Sequence, residues 1–118
     1  MTVQDVVDKL NLTVFSGSQK LSNVVEGGYT SDLLSDVMGH ADAGYVWITL
    51  QAHKNVIAIA SLKELAAIIL VKGITPDSET LSLSEQEGIP ILGSALEAFE
   101  LSGKIYEIIT NYKLRITN

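Results

Sequence analysis

The sequence contains no cysteine, and that absence removes disulfides, thiol nucleophiles and zinc–cysteine sites from consideration. It also fits an intracellular protein. Histidine is limited to His40 and His53, so a metal site built on imidazoles is hard to assemble, and no metal or other cofactor is expected. Basic residues are scarce: eight Lys and Arg stand against fourteen Asp and Glu, a net charge of −6. An acidic chain without a basic stripe is poorly suited to a phosphate backbone, which disfavours nucleic acid as a partner. Long apolar runs are missing too. The longest, Leu65 to Val71, is far too short to cross a bilayer, and the N-terminus carries Asp5 and Asp8 where a signal peptide carries basic and apolar blocks. These features point to a cytoplasmic protein with no membrane partner.

What is present is a globular composition. With 118 residues, 47% hydrophobic and 19% charged, residues 1–118 read as one small domain able to bury roughly two thirds of the surface of the unfolded chain. The most informative stretch runs from Asn23 to Met38. Val24 and Val25 read as a strand ending in a turn at Gly27-Gly28, after which Thr30, Ser31 and Asp32 offer caps for a helix beginning near Asp32. A glycine turn at a helix N-terminus exposes backbone N–H groups and favours an anionic group.

In chain order, Thr2 caps a helix with Val3, Val6, Val7 and Leu10 at helical spacing, and Asn11 closes it. Leu12 to Phe15 reads as a strand, and residues 16–20 as a loop. The helix from Asp32 carries Leu33, Leu34, Val37 and Met38 on one side and is stopped by Gly39. Tyr45 to Leu50 is a strand covered on both faces. Two readings compete for residues 52–73. Either Val56 to Ala60 is a hairpinned strand before a helix ending at Val71, or His53 to Lys63 is a helix crossing over to a parallel strand at Ala66 to Val71. The second is preferred, because a strand followed by Lys72-Gly73 and then T-P-D repeats the strand-to-helix pattern. The next helix follows Pro76 and stops at Gly88, and Ile89 to Leu92 is a short strand. Ser94 and Glu97 form a capping box for a closing helix whose apolar residues, Phe99 and Tyr106 among them, cover more than one face. The tail alternates Tyr112, Leu114 and Ile116 with polar residues, as an edge strand or arm would.

The alternation of strands and helices implies an α/β fold, a mostly parallel sheet with helices on its faces. Ligands in such folds gather at the strand carboxyl ends. In order, G-G-Y-T-S-D-L-L-S-D-V-M, W-I-T-L-Q-A-H-K-N, A-A-I-I-L-V-K-G-I-T-P-D and E-G-I-P-I-L resemble the DRTGG domain, including its small stand-alone members, and more distantly the N-terminal domain of HPr kinase/phosphorylase. The resemblance spans Leu12 to Tyr106. It implies an α/β domain of regulatory type, which in larger proteins sits beside CBS or phosphotransferase modules. The D-R and G-G pairs that name the family are replaced here by L-Q-A-H at Leu50 to His53 and by Lys72-Gly73. The phosphate-binding loop of the HPr kinase half has no counterpart in this chain.

Candidate ligand-binding residues are therefore Gly27, Gly28, Thr30, Ser31, Gln51, His53, Asn55, Lys72 and Gly73, with Lys72 supplying charge and Gln51, His53 and Asn55 orienting hydrogen bonds. Gly39 and Gly44 have phosphate-loop spacing, but Tyr45 and Val46 stand where Lys and Ser/Thr are needed. Asp32 with Asp36 reads more simply as a solvated face than as a metal or acid–base pair, and His40 with Asp42 could be two metal ligands but, with one other histidine and no cysteine, lack a full set. No serine lies in a nucleophile elbow. The sequence reading is a regulatory or sensor module without catalysis of its own, binding a nucleotide or other anionic small molecule. The alternative is an oligomerisation or partner-docking domain, and an enzyme ranks third. The broad apolar surface of the closing helix predicts a homo-oligomer, a dimer by preference.

Overall fold

Capping and periodicity set the first element. In the computed structural model, which describes residues 1–117, α1 (Val3–Leu10) starts where Thr2 and Asp5 exchange side-chain and backbone hydrogen bonds and ends at Asn11 in the left-handed region. Its buried residues Val3, Val6 and Val7 recur at helical spacing. Four further helices, α2 (Leu34–His40), α3 (Asn55–Leu62), α4 (Ser78–Glu87) and α5 (Ala98–Thr117), alternate with strands β1 (Thr13–Ser16), β2 (Gly27–Thr30), β3 (Tyr45–Thr49), β4 (Ala67–Leu70) and β5 (Ile91–Gly93).

The strands form one sheet in the order β1-β5-β4-β3-β2, parallel from β2 to β5, with β1 antiparallel at one edge. The α/β reading therefore holds, with β4 central and parallel to β3, and residues 55–62 form the crossover helix. Period-two alternation along β3 sends Val46 and Ile48 to a core shared with α1 and α5. Trp47 goes to a second core shared with α2 and α3. β4 is buried throughout, which is why it reads as an unbroken apolar run. Asp77 caps α4 through the Thr80 N–H at 2.8 Å, and Gly88 closes it at φ +68°, both at the expected positions.

Several boundaries differ from the sequence expectation. Gly27 and Gly28 are not a turn but the opening residues of β2, paired with Tyr45 and Val46. Val24 and Val25 are instead tied to the N-terminus, by a Thr2–Val24 bridge and the Val25 N–H on the Met1 carbonyl. α2 begins at Leu34 rather than Asp32, and Leu33, its N-cap, contributes no side-chain bond, because the Asp32 carboxylate is spent on β3. Gly39 lies within α2, which ends when the Ala41 N–H closes on the Val37 carbonyl. Ser94 does not cap α5. It accepts the Leu96 N–H locally, and the helix starts at Ala98. The tail is neither strand nor arm: α5 continues through it to Thr117, and only Asn118 lies outside the described residues. Extending an existing helix needs no new nucleus. Tyr112 and Ile116 also continue the helical spacing of Ile105 and Ile109, and they line a small cavity with Met1, Val24 and Val25.

The segment between β1 and β2 crosses the whole sheet at the amino ends of the parallel strands. Gly17, at φ +75°, passes so close to Pro90 that a Cβ would stand 2.5 Å from its Cα. Further along, the Asn23 side chain donates to the Ala66 carbonyl at 3.2 Å, and the Glu26 N–H donates to Gly44. This crossing carries Glu26 and Gly27 to the free edge of the sheet, beside α5.

Candidate functional site

At the carboxyl ends of β2 and β3 the chain is clasped by its own groups. The Asp32 carboxylate accepts the Thr49 hydroxyl at 2.9 Å and the Leu50 N–H at 2.8 Å, while Gln51 Nε2 donates to the Asp32 carbonyl at 3.1 Å. Trp47 Nε1 donates to the Ser31 carbonyl at 2.8 Å, and the Ser31 hydroxyl accepts the Leu33 N–H. Beyond β4, Lys72 and Gly73 occupy the left-handed region, and their N–H groups are taken by the carbonyls of Leu96 and Ser94. His53 Nδ1 accepts the Asn55 N–H at 3.2 Å, a local cap at the start of α3. Asn55 faces the α3–α4 groove, where Lys54 and Glu79 form an ion pair at 2.8 Å. Of the sequence-derived candidates, this edge collects Ser31, Gln51, Lys72 and Gly73, with His53 just beyond. Its backbone donors at Lys72 and Gly73 are occupied, and the Asp32 carboxylate takes the Leu50 N–H at the end of β3.

Gly27 and Gly28 lie elsewhere. They open β2 at the opposite end of the strand, and with Thr30 they floor a groove of about 570 Å³ between the free sheet edge and α5. The α5 wall presents Phe99, Ser102, Gly103, Tyr106, Thr110 and Lys113. Packing of Leu101, Ile105 and Ile109 into the core positions this helix and leaves the neighbouring stripe free, with Phe99 90% and Tyr106 75% exposed. One end is braced by the Thr30 and Ser102 hydroxyls, 2.7 Å apart. At the other, the Lys113 ammonium donates to the Glu26 carbonyl at 2.8 Å.

Two glycines make the groove as open as it is. Gly28 has no left-handed φ, and a Cβ there would meet nothing closer than Val46 Cγ2 at 3.5 Å, an ordinary contact. Gly103 sits inside α5, where a Cβ would meet nothing within 4 Å. The backbone demands neither, although glycine within a helix costs about 1 kcal/mol relative to alanine. By contrast Gly93 leaves room for the Phe15 ring, and Gly44 and Gly73 have positive φ. The sequence pattern placed the excess apolar surface on the closing helix but did not join it to Gly28, because that pairing depends on which edge of the sheet α5 covers.

A second polar cluster lies on the other side of β2. The Tyr29 hydroxyl donates to Asp36 at 2.9 Å, His40 Nδ1 is 3.1 Å from the same carboxylate, and the Tyr29 and His40 rings stack. The Ser31 hydroxyl first, then Tyr29 and His40, hold the Asp36 carboxyl below its usual range, and Asp36 in turn raises the Tyr29 phenol. The cluster anchors α2 to β2. Among the described residues no three of His, Cys, Asp and Glu converge as a metal site, and no helix is long and apolar enough to cross a membrane.

The architecture has a solved counterpart. Over 89% of its length this chain is similar to the crystallised CBS and DRTGG regulatory region of a Clostridium perfringens pyrophosphatase, complexed with its activator diadenosine tetraphosphate (TM-score 0.72, 14% sequence identity). The fold is DRTGG-like. The chain spans less than half, 46%, of that chain. No family model and no curated protein matches the sequence.

Proposed function

We propose that this DRTGG-like chain is a regulatory module that senses a nucleotide-class ligand without transforming it, and that the ligand seats in the β2–α5 groove. The observation that carries the reading is the pair Gly28 and Gly103, which line one groove from two elements and serve no backbone need. Groove chemistry supports it. Exposed Phe99 and Tyr106 rings offer flat surfaces for a planar base, the Thr30 and Ser102 hydroxyls and the Glu26 carboxylate offer polar contacts, and Lys113 offers a cation for phosphate. Similarity to a regulatory region that binds diadenosine tetraphosphate supports the ligand class. The strand-end residues Gln51, His53, Lys72 and Gly73 form the alternative seat, weakened by the Asp32 carboxylate already held there.

The test is thermal stabilisation by diadenosine tetraphosphate, ATP and AMP, because binding to the native state must raise the melting temperature. Buried Trp47, the only tryptophan, provides the fluorescence signal. Gly28→Val, whose Cβ meets nothing closer than 3.5 Å, is expected to fold normally and lose the ligand-induced shift. Lys72→Ala is expected to retain it. A shift that survives Gly28→Val and disappears in Lys72→Ala would move the seat to the strand ends.

A further inference from the structure

We propose that the β2–α5 groove selects for a single phosphate: its ligand is a nucleoside monophosphate, held by its base between β2 and α5 and by its one phosphate on Lys113. The proposal rests on the reading of the groove given above and deepens it. Gly103 leaves a gap on α5, four residues after Phe99 and three before Tyr106, so that each ring stands about one turn from it. A planar base entering that gap has an aromatic ring on either side and the Gly28 backbone below. The Thr30 and Ser102 hydroxyls share one proton in their mutual bond, which leaves the second proton and free lone pairs for the edge of the base.

The charge of the groove suffices for one phosphate and no more. Among the described residues that line it, only Glu26 and Lys113 are charged, one of each sign. The Lys113 ammonium gives one of its three donors to the Glu26 carbonyl at 2.8 Å and keeps two. The devices that hold di- and triphosphates are missing among the described residues. None of the lining residues has a left-handed backbone, so no nest of N–H groups converges there, and the first turn of α5 carries Glu100 beside Phe99. Further phosphates would lie against the Glu26 carboxylate or in the solvent around a chain of net charge −6. Affinity therefore rises with the first phosphate and stops there.

Isothermal titration with adenosine, AMP, ADP, ATP and diadenosine tetraphosphate, at fixed ionic strength and without magnesium, tests it. AMP is expected to bind about tenfold more tightly than adenosine, the gain of one charge-assisted contact, and the three longer ligands no more tightly than AMP. Lys113→Gln is expected to bring AMP down to the affinity of adenosine while leaving adenosine unchanged, and Lys113→Arg to restore the difference. Affinity that climbs with each added phosphate overturns the selectivity. So does adenosine binding as tightly as AMP, or a preference for AMP that survives Lys113→Gln. If Gly28→Val still abolishes binding in those cases, the seat in the groove stands and only the selectivity falls. No binding by any of the five ligands, or binding untouched by Gly28→Val, overturns both.

Discussion

Ser84 holds the junction of three elements with one hydroxyl. It donates to the Ile89 carbonyl at 2.7 Å and must therefore accept from Ser16, 2.5 Å away and likewise buried. Replacing it by alanine strands a buried hydroxyl on β1 and a carbonyl ahead of β5. Ser84→Ala is expected to cost about 1–3 kcal/mol in urea denaturation, although it removes a single atom. Gly103 makes the opposite case. Because a Cβ there meets nothing, Gly103→Ala is expected to raise stability by about 0.5–1 kcal/mol. A loss of stability would show that the glycine serves the fold and would remove the main reason for assigning the groove a function.

At the scale of the element, α5 divides into a face that folds and a face that does not. Ile105 is 1% exposed and packs against the sheet, so Ile105→Ala is expected to cost about 2–5 kcal/mol. Phe99→Ala, six residues earlier, is expected to change monomer stability by less than about 0.5 kcal/mol. Equal costs for the two would contradict the assignment of faces. Most elements were legible because local signals agreed with tertiary demands: Thr2 and Asp77 at helix starts, Asn11 and Gly88 at helix ends, and the unbroken apolar run of β4. The reading of Gly27-Gly28 as a turn failed because two glycines in an edge strand look the same in sequence as two in a turn. Only the neighbours distinguish them, here the Tyr45 ring lying where a Cβ of Gly27 would go. The capping oxygens of Asp32 were misplaced for a related reason, since a carboxylate that can cap its own helix can also bridge to Thr49 and Leu50. The alternation at Tyr112, Leu114 and Ile116 suited a strand, but residues already attached to a helix extend it at little cost. Topology brings Ser31, Gln51, Lys72 and Gly73 to one edge, but not Gly27 and Gly28, which open β2, nor Asn55, which faces the α3–α4 groove. The groove escaped notice because its two walls, β2 and α5, are distant in sequence.

Across the whole molecule, acid stability follows from carboxylates held in their charged form. Asp5, Asp36 and Asp77 all lie below their ordinary range, chiefly through the Thr2 backbone, the Ser31 hydroxyl and the Thr80 backbone N–H respectively. A lowered folded pKa means that the unfolded chain binds more protons. The stabilisation is then complete above the unfolded value, near pH 4, and is lost as pH falls through the lowered folded values. Lys54, raised by Glu79, works in the other direction: its contribution is present below its unfolded value and fades as pH rises through the raised one. Melting temperatures by circular dichroism are expected to decline below about pH 4. A rise there would contradict these pairings. The central claim, that this DRTGG-like module seats its ligand between β2 and α5, is tested most directly by following backbone amide resonances during titration with diadenosine tetraphosphate. The account predicts saturable shifts concentrated at Gly28, Thr30, Ser102, Gly103 and Tyr106. Saturable shifts centred instead on Gln51, His53, Lys72 and Gly73, or no shifts at all, would contradict it.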